Sequence, residues 1–436
     1  MAMKFAAGAL PVFAAAMLGA MPLAMAEDAP ATGVPEVSIA QNWNDPVRAA
    51  FAQRGITYGV NWSGEYWNVA KGGNSQGSNF DGLLATYTDI DLDKLTGWKG
   101  ATIHASAYYL HGVGASTERV NNIFAVSNIE GLETFRLFEL WFEQSLLQDK
   151  VKVRIGSLAA DSEFFISDSA ALFLNGTFGW PGVTAANMAA GGPGYPLASL
   201  GVRVQYAPTD NLTILAAVFN GAPADPFAED PQADNRHGVE FRLEDAPLLM
   251  LEGQFKYNIG NLPGTLKLGA WQQLNHYAPE FLNPAVLEND HGLYAIVDQQ
   301  IWKSGEDKNV SIFARVSGSP ESRSLISAYV DTSIVFTGFV PGRAKDSFGA
   351  AFGYGNISND LRKAQADPGN ENFSNVISDY ESVLEVNYIA QLCPGISIVP
   401  DFQYIWNPGG RVSSNADEFK PIPDAAVFGV RTNISY

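Results

Sequence analysis

One cysteine in 436 residues, Cys393, leaves no intrachain disulfide to form. A secreted chain of this size without disulfides fits bacterial export better than a eukaryotic ectodomain. Charge is scarce too: Asp, Glu, Lys and Arg make up 17% of the chain, against about 25% in ordinary soluble domains. Basic side chains are the scarcer sign, 27 Lys and Arg against 46 Asp and Glu. The resulting formal net charge of −19 disfavours nucleic acid as a partner. Beyond residue 26 no apolar run reaches the ~18 residues that a membrane-spanning helix needs, which argues against a helical membrane protein.

Motifs that carry chemistry are missing as well. There is no P-loop, and the five histidines (His104, His111, His237, His276, His291) form no metal-spaced set. No metal or cofactor is implied. Gly73-Asn74-Ser75-Gln76-Gly77 matches G-x-S-x-G, but it lies in a Gly/Ser/Asn loop with no helix behind it, so the nucleophile elbow has no support. Glu381 and Glu385, four residues apart, share one face of a strand. Glycosidase chemistry needs two carboxylates at a controlled separation; lining a hydrated wall is the simpler use of this pair. Catalytic residues are therefore not expected. Cys393, in the turn Leu392-Cys393-Pro394-Gly395, reads as a bystander thiol.

What is present begins with a targeting segment. Lys4, an apolar stretch from Phe5 to Leu23 and the A-x-A site Ala24-Met25-Ala26 mark residues 1–26 as a secretory signal peptide. Residues 27–55 read as a periplasmic lead with one short helix, Pro46 to Arg54, Asp45 serving as N-cap and Gly55 ending it. From Ile56 to Tyr436 the period becomes two. Tyr58, Val60, Trp62 and Tyr66 alternate with Thr57, Asn61, Ser63 and Glu65; Ile103, Ala105, Ala107 and Tyr109 alternate with His104, Ser106 and Tyr108. Segments of about ten residues, the length a tilted strand needs to cross a bilayer, repeat to the end. Short turns at 96–100, 148–150, 208–211, 258–264, 303–309 and 392–395 alternate with long connections, the longest at 160–197. Short turns on one side and long loops on the other are the habit of an outer-membrane barrel. That parity makes 239–257 a single passage and the total sixteen strands.

An ordered set of short motifs then resembles one family. It includes Arg54-Gly55-Ile56-Thr57, Leu137-Phe138-Glu139-Leu140-Trp141-Phe142-Glu143-Gln144 and Val153-Arg154-Ile155-Gly156. It continues with Phe173-Leu174-Asn175-Gly176-Thr177-Phe178-Gly179-Trp180-Pro181, Gly292 to Gln299, Pro341 to Asp346, Tyr380 to Tyr388, Pro400 to Tyr404 and Asn407 to Gly410. The sequence is similar to the carbohydrate-selective outer-membrane porins of the OprB type, over about 380 residues after the signal. The resemblance implies an all-β, sixteen-stranded transmembrane antiparallel barrel with one loop folded inward. It also implies passive diffusion of mono- and small oligosaccharides across a Gram-negative outer membrane.

Strand parity then sorts the wall. The residues expected to face the lumen are Asp89, Asp91, Glu139, Trp141, Glu143, Lys152, Arg154, Arg203, Arg242, Arg315, Glu381, Glu385, Asp401, Gln403 and Arg431. Both signs occur, which suits neutral hydroxyl-rich solutes better than a one-signed ring would. In the hairpin 137–158, Phe138, Leu140 and Phe142, then Val151, Val153 and Ile155, are expected to face lipid. The loop 160–197 is the expected constriction, with Phe164, Phe165, Phe173, Phe178, Trp180 and Tyr195. These aromatics have two readings: a slide for the apolar faces of sugar rings, or packing of the loop against the wall. Two rival functions stand beside a sugar pore: a general or ion-selective porin of the same fold, and a secreted all-β carbohydrate-binding protein or enzyme. The expected partners are permeating sugars and outer-membrane lipid. Porins occur as monomers and as homo-oligomers, and the sequence selects neither.

Overall fold

A computed structural model describes residues 46–277, 287–370 and 372–436. The signal peptide and most of the expected lead lie outside these residues. The helix Pro46–Gln53 comes first, and Gly55, at φ +84°, turns the chain into the first strand. Among the described residues no helix is long and apolar enough to cross a membrane, which leaves crossing by strands untouched.

The strands are β1 (Ile56–Lys71), β2 (Gly77–Asp91), β3 (Ala101–Gly112), β4 (Thr134–Leu146), β5 (Val151–Leu158), β6 (Ser199–Thr209), β7 (Leu212–Phe219), β8 (Leu248–Ile259) and β9 (Leu262–Tyr277). Then follow β10 (Leu287–Ser304), β11 (Lys308–Gly318), β12 (Ile326–Thr337), β13 (Ser347–Ile357), β14 (Tyr380–Cys393), β15 (Ile396–Trp406), β16 (Ser413–Ser414), β17 (Asp417–Pro421) and β18 (Ala425–Ser435). β16 and β17 are a small hairpin in the last long connection. The other sixteen form one closed antiparallel barrel, each strand paired with its sequence neighbour and β18 returning to β1. Closure runs through pairs such as Glu65↔Arg431 and Ser63↔Asn433, and Tyr436 N–H donates to Val60 O at 2.8 Å. A closed ring gives every strand two partners, which hydrocarbon demands.

Outward side chains are apolar and end in aromatic clusters at both rims. At the short-turn rim Phe336 and Phe348 stack at 4.9 Å and Trp302 meets Phe339 at 5.4 Å; at the other, Tyr354 and Tyr380 stack at 5.2 Å and Tyr404 meets Trp406 at 4.7 Å. Such paired girdles mark the two interfaces of a bilayer.

Two expectations are corrected here. β8 starts at Leu248, so 239–247 is not part of a wall strand, and Arg242 sits in the connection before it, bonded to Asp245 at 2.9 Å. Alternation in 239–243 is real, but it belongs to an extended segment outside the ring. Phe138 is the second correction. Ala105 pairs with Leu140 and Ala107 with Leu137, so Phe138 and Glu139 together oppose one residue. This bulge reverses the parity of β4 midway. Phe138 therefore points inward, buried and stacked on Tyr108 at 4.5 Å, while Leu137 takes the outer face and Leu140 is exposed outward. Phe138→Ala is expected to lower stability by about 3–5 kcal/mol, whereas Leu140→Ala changes it by less than about 1 kcal/mol. Urea unfolding in detergent measures both, and equal losses would contradict the reversal.

Candidate functional site: the inner wall

Cross-strand partners share a face, so the registers carry inward orientation from strand to strand. Asp89, Asp91, Glu139, Trp141, Glu143, Lys152, Arg154, Arg203, Arg315, Glu381, Glu385, Asp401, Gln403 and Arg431 occupy inward positions; Arg242 does not. Asp91, last in β2, turns its side chain to the rim, where it caps the helix Leu92–Thr96. The remaining groups fall into two sets with different surroundings.

The first set lies on β2 to β6 and keeps part of its surface exposed, apart from Arg203, which is buried. Asp89 bonds His104 at 2.6 Å, and the His104 ring stacks on Trp141 at 4.7 Å. The Arg154 guanidinium lies over Trp141 at 3.8 Å. His104 comes from β3 and Arg154 from β5, the strands flanking β4, so the indole is held between them. Arg154 then bonds Glu143 at 3.0 Å and Glu163 at 3.4 Å. Arg203 bonds Glu143 at 2.9 Å and grips Glu163 with two donors. Lys152 flanks this cluster, opposite Gln205 of β6. Two carboxylates and two guanidiniums thus meet at one spot, and Arg154, Glu143 and Glu163 each keep 12–16% of their side chains exposed.

The second set, on β4 and β8 to β18, is dry. Its side chains hold the backbone of two connections, 113–133 and 159–198. Glu381 accepts the N–H groups of Ile123, Phe124 and Gly409 at 2.6–2.9 Å. Glu385 accepts those of Leu174 and Asn175 at 2.7 and 2.9 Å, and Gln403 joins Asn175 to Val126 O. Glu139 accepts Ala159 N–H at 3.0 Å. Arg315, paired with Asp331, donates to the carbonyls of Phe165 and Thr177 at 2.6 and 2.9 Å. Arg431 reaches Glu65 and Asn128, and Asp401 accepts from Gln403 at 3.1 Å. Because these wall groups face inward, both connections lie against the inside of the barrel.

The same seat settles the loop aromatics. Phe164, Phe165, Phe173 and Phe178 are each no more than 1% exposed. Phe165 stacks on Tyr294 at 3.5 Å, and Phe173 presses on Gly349, where a Cβ would come within 2.9 Å of its ring. Trp180 and Tyr195, half-buried, bond Gly191 O and Ile129 O at 3.0 and 2.7 Å. The four phenylalanines are buried and pack the loop against the wall. Trp141 is sandwiched as well.

Sequence reasoning missed His104, Glu163, Tyr294 and Asp331 as members of these sets, and also Glu252, which accepts Phe165 N–H at 3.0 Å, and Asp298, which accepts Ser167 Oγ–H at 2.6 Å. His104 showed only the right parity. Glu163 lies in a connection with no period to betray it. Among the described residues no group of three or more His, Cys, Asp or Glu is placed to hold a metal.

Residues 75–436 match the family described as "Carbohydrate-selective porin, OprB family". The sequence is 23% identical over 426 residues to Porin B of Pseudomonas aeruginosa, covering 88% of each chain. The fold is similar to the high-pH structure of Pseudomonas putida OprB, with a TM-score of 0.75 and 20% identity over 92% of this chain and 99% of that one. The low-pH structure of the same protein gives a TM-score of 0.57 at 15% identity.

Two acids in the docked connections titrate with the loops. Asp161 accepts Tyr195 N–H at 2.7 Å, and burial pushes its carboxyl from 3.8 up to about 7. Glu130, bonded by Ser116, is pushed by burial from 4.5 to about 7. Both values stand above the ordinary ones, so the docked state is favoured when these acids are protonated. That stability declines as pH climbs from the ordinary carboxylate range through about 7. Asp161→Asn with Glu130→Gln should therefore slow chymotrypsin cleavage within 159–198 at about pH 8, roughly ten-fold or more. At about pH 5 the variant and the parent should differ far less. Equal cleavage at both pH values would contradict the assignment.

Proposed function

The chain belongs to the carbohydrate-selective porins of the OprB family, and we propose that sugars cross it beside the Glu143–Glu163–Arg154–Arg203 cluster. It is an outer-membrane β-barrel of a Gram-negative bacterium that lets carbohydrates diffuse through. The observation that carries the proposed path is the contrast between the two inner-wall sets. Charged groups that clamp loops, such as Glu381, Glu385 and Arg315, are bonded to loop backbone and dry. Asp89, Glu143, Arg154 and Glu163 remain partly exposed, with the buried Arg203 behind them. Trp141 Nε1 and Arg203 Nη1, both buried behind this cluster, make no hydrogen bond among the described residues. A hydroxyl-rich solute meets donors and acceptors there in near-equal number, and exchange with water keeps each contact weak enough for release.

The connection 159–198 acts as the constriction in this reading, because it brings Glu163 from the inside towards Arg154 and Arg203 of the wall. Its phenylalanines serve by fixing the loop. The outward apolar face meets lipid hydrocarbon, and residues 1–26 direct export and are then removed.

Planar-bilayer conductance tests the path. Added glucose or a short maltodextrin should lower the current in a dose-dependent way. Arg154→Ala should weaken that block about ten-fold, the equivalent of one charge-assisted hydrogen bond of ~1.5 kcal/mol. Unchanged block in this variant would move the path elsewhere. No block in the parent would point to a non-selective porin of the same fold.

A further inference from the structure

The wall has a gap that a loop fills. β5 pairs with β4 only up to Leu140↔Ser157, after which the chain leaves the ring at Ala159 to enter the barrel. The outer part of β4, from Thr134 to Glu139, is thereby left without β5. The connection between β7 and β8 comes to that edge. Leu137 N–H donates to His237 O at 3.0 Å, Arg236 Nη2 donates to Glu133 O at 3.0 Å, and His237 Nδ1 lies 3.0 Å from Phe135 O. The segment then passes over β5 and β6. Ser157 has outward parity, as the partner of exposed Leu140, yet it is only 4% exposed. It lines a small polar void with Ser199, Asn235, Glu240, Phe241 and Arg242. The crossing ends where Asp245 and Asn220 exchange hydrogen bonds at 2.9 and 3.1 Å, at the end of β7.

Its free side is apolar. Val239, Phe241 and Leu243 are 54%, 47% and 78% exposed, and between them Glu240 is exposed and Arg242 folds back on Asp245. The neighbouring outward residues Phe135, Val202 and Val218 are exposed too, so the patch continues the greasy face of the wall. Backbone outside a ladder is not tolerated in the hydrocarbon centre. It is tolerated at the polar–apolar boundary, where water still reaches the peptide groups and apolar side chains dip inward.

We propose that residues 236–245 form a strap that completes the wall where the chain departs, and that Val239, Phe241 and Leu243 seat on the acyl chains of the outer leaflet at that boundary. The occupant is lipid, and the assignment rests on the lipid-facing outer wall read above. The strap was visible in sequence only as an alternation mistaken for part of a strand.

The test uses the full chain in vesicles, with Cys393→Ser as background and a bimane attached at Phe241→Cys, at Leu243→Cys or, as reference, at Val218→Cys. Heat-modifiable migration verifies that each variant has closed its barrel. Nitroxide carried on the lipid chain near the glycerol should quench Phe241→Cys and Leu243→Cys as strongly as Val218→Cys. Quenching at 218 alone overturns the strap, and so does disulfide pairing of two copies through 241 in the unlabelled Phe241→Cys protein, which would make the patch an interface between subunits. Quenching at none of the three overturns the lipid-facing wall itself. Glucose entry measured in the same vesicles is independent of all these outcomes, so it distinguishes loss of the strap from loss of the sugar path.

Discussion

A peptide group in hydrocarbon has no water to fall back on, and the whole architecture follows from that constraint. Sixteen strands joined into a ring satisfy it, and pairing of β1 with β18 is the step without which two edges would stand open in lipid. Once the ring is closed, alternation of side chains becomes a division between solvents. The outer face is apolar with aromatic rims; the inner face carries nearly all the charge of the strands. Beside the upper part of β4, where β5 has left the ring, the β7–β8 connection supplies a cover.

The interior shows how a charge-rich face can be put to two uses. Where inward carboxylates and guanidiniums meet loop backbone, they behave like the missing ends of a hydrogen-bond ladder. Glu381 and Glu385 gather N–H groups, while Arg315 gathers carbonyls. An unpaired charge at such a depth would be strongly unfavourable, so these side chains and the loops they hold stabilise one another. Where a loop side chain rather than loop backbone arrives, the same chemistry stays partly exposed, as at Glu143, Arg154 and Glu163. Glycines on the inner face of β13 complete the fit. At Gly355 a Cβ would lie 2.7 Å from the ring of Phe124, so a larger residue would unseat the neighbouring connection.

Much of this was legible in the sequence, for a physical reason. Period-two alternation over some ten residues reports a two-sided strand whatever the residues are, and it placed fifteen of the sixteen passages near their observed positions. Local patterns could not report register. The bulge at Phe138 and Glu139 is produced by pairing with β3, which lies far away in sequence, so the parity of Phe138 was misread. Arg242 was misread because an extended segment alternates on a barrel's outside just as it does within it. Inner and outer charge could be told apart, but wet and dry charge could not. That distinction depends on loops such as 159–198, whose irregular chain carries no period, and it is why Phe165 or Phe173 could equally have been a sliding surface or a wedge.

Glu385 grips amide hydrogens of the chain, not the side chains of Leu174 and Asn175. A socket of that kind is indifferent to a gripped residue whose side chain neither wedges nor bonds the wall, as Phe173 and Asn175 do. The remaining side chains along the inserted connections can be exchanged one at a time, altering the bore, while the anchorage stays put; a channel built this way is free to change its clientele without first having to learn a new way of folding.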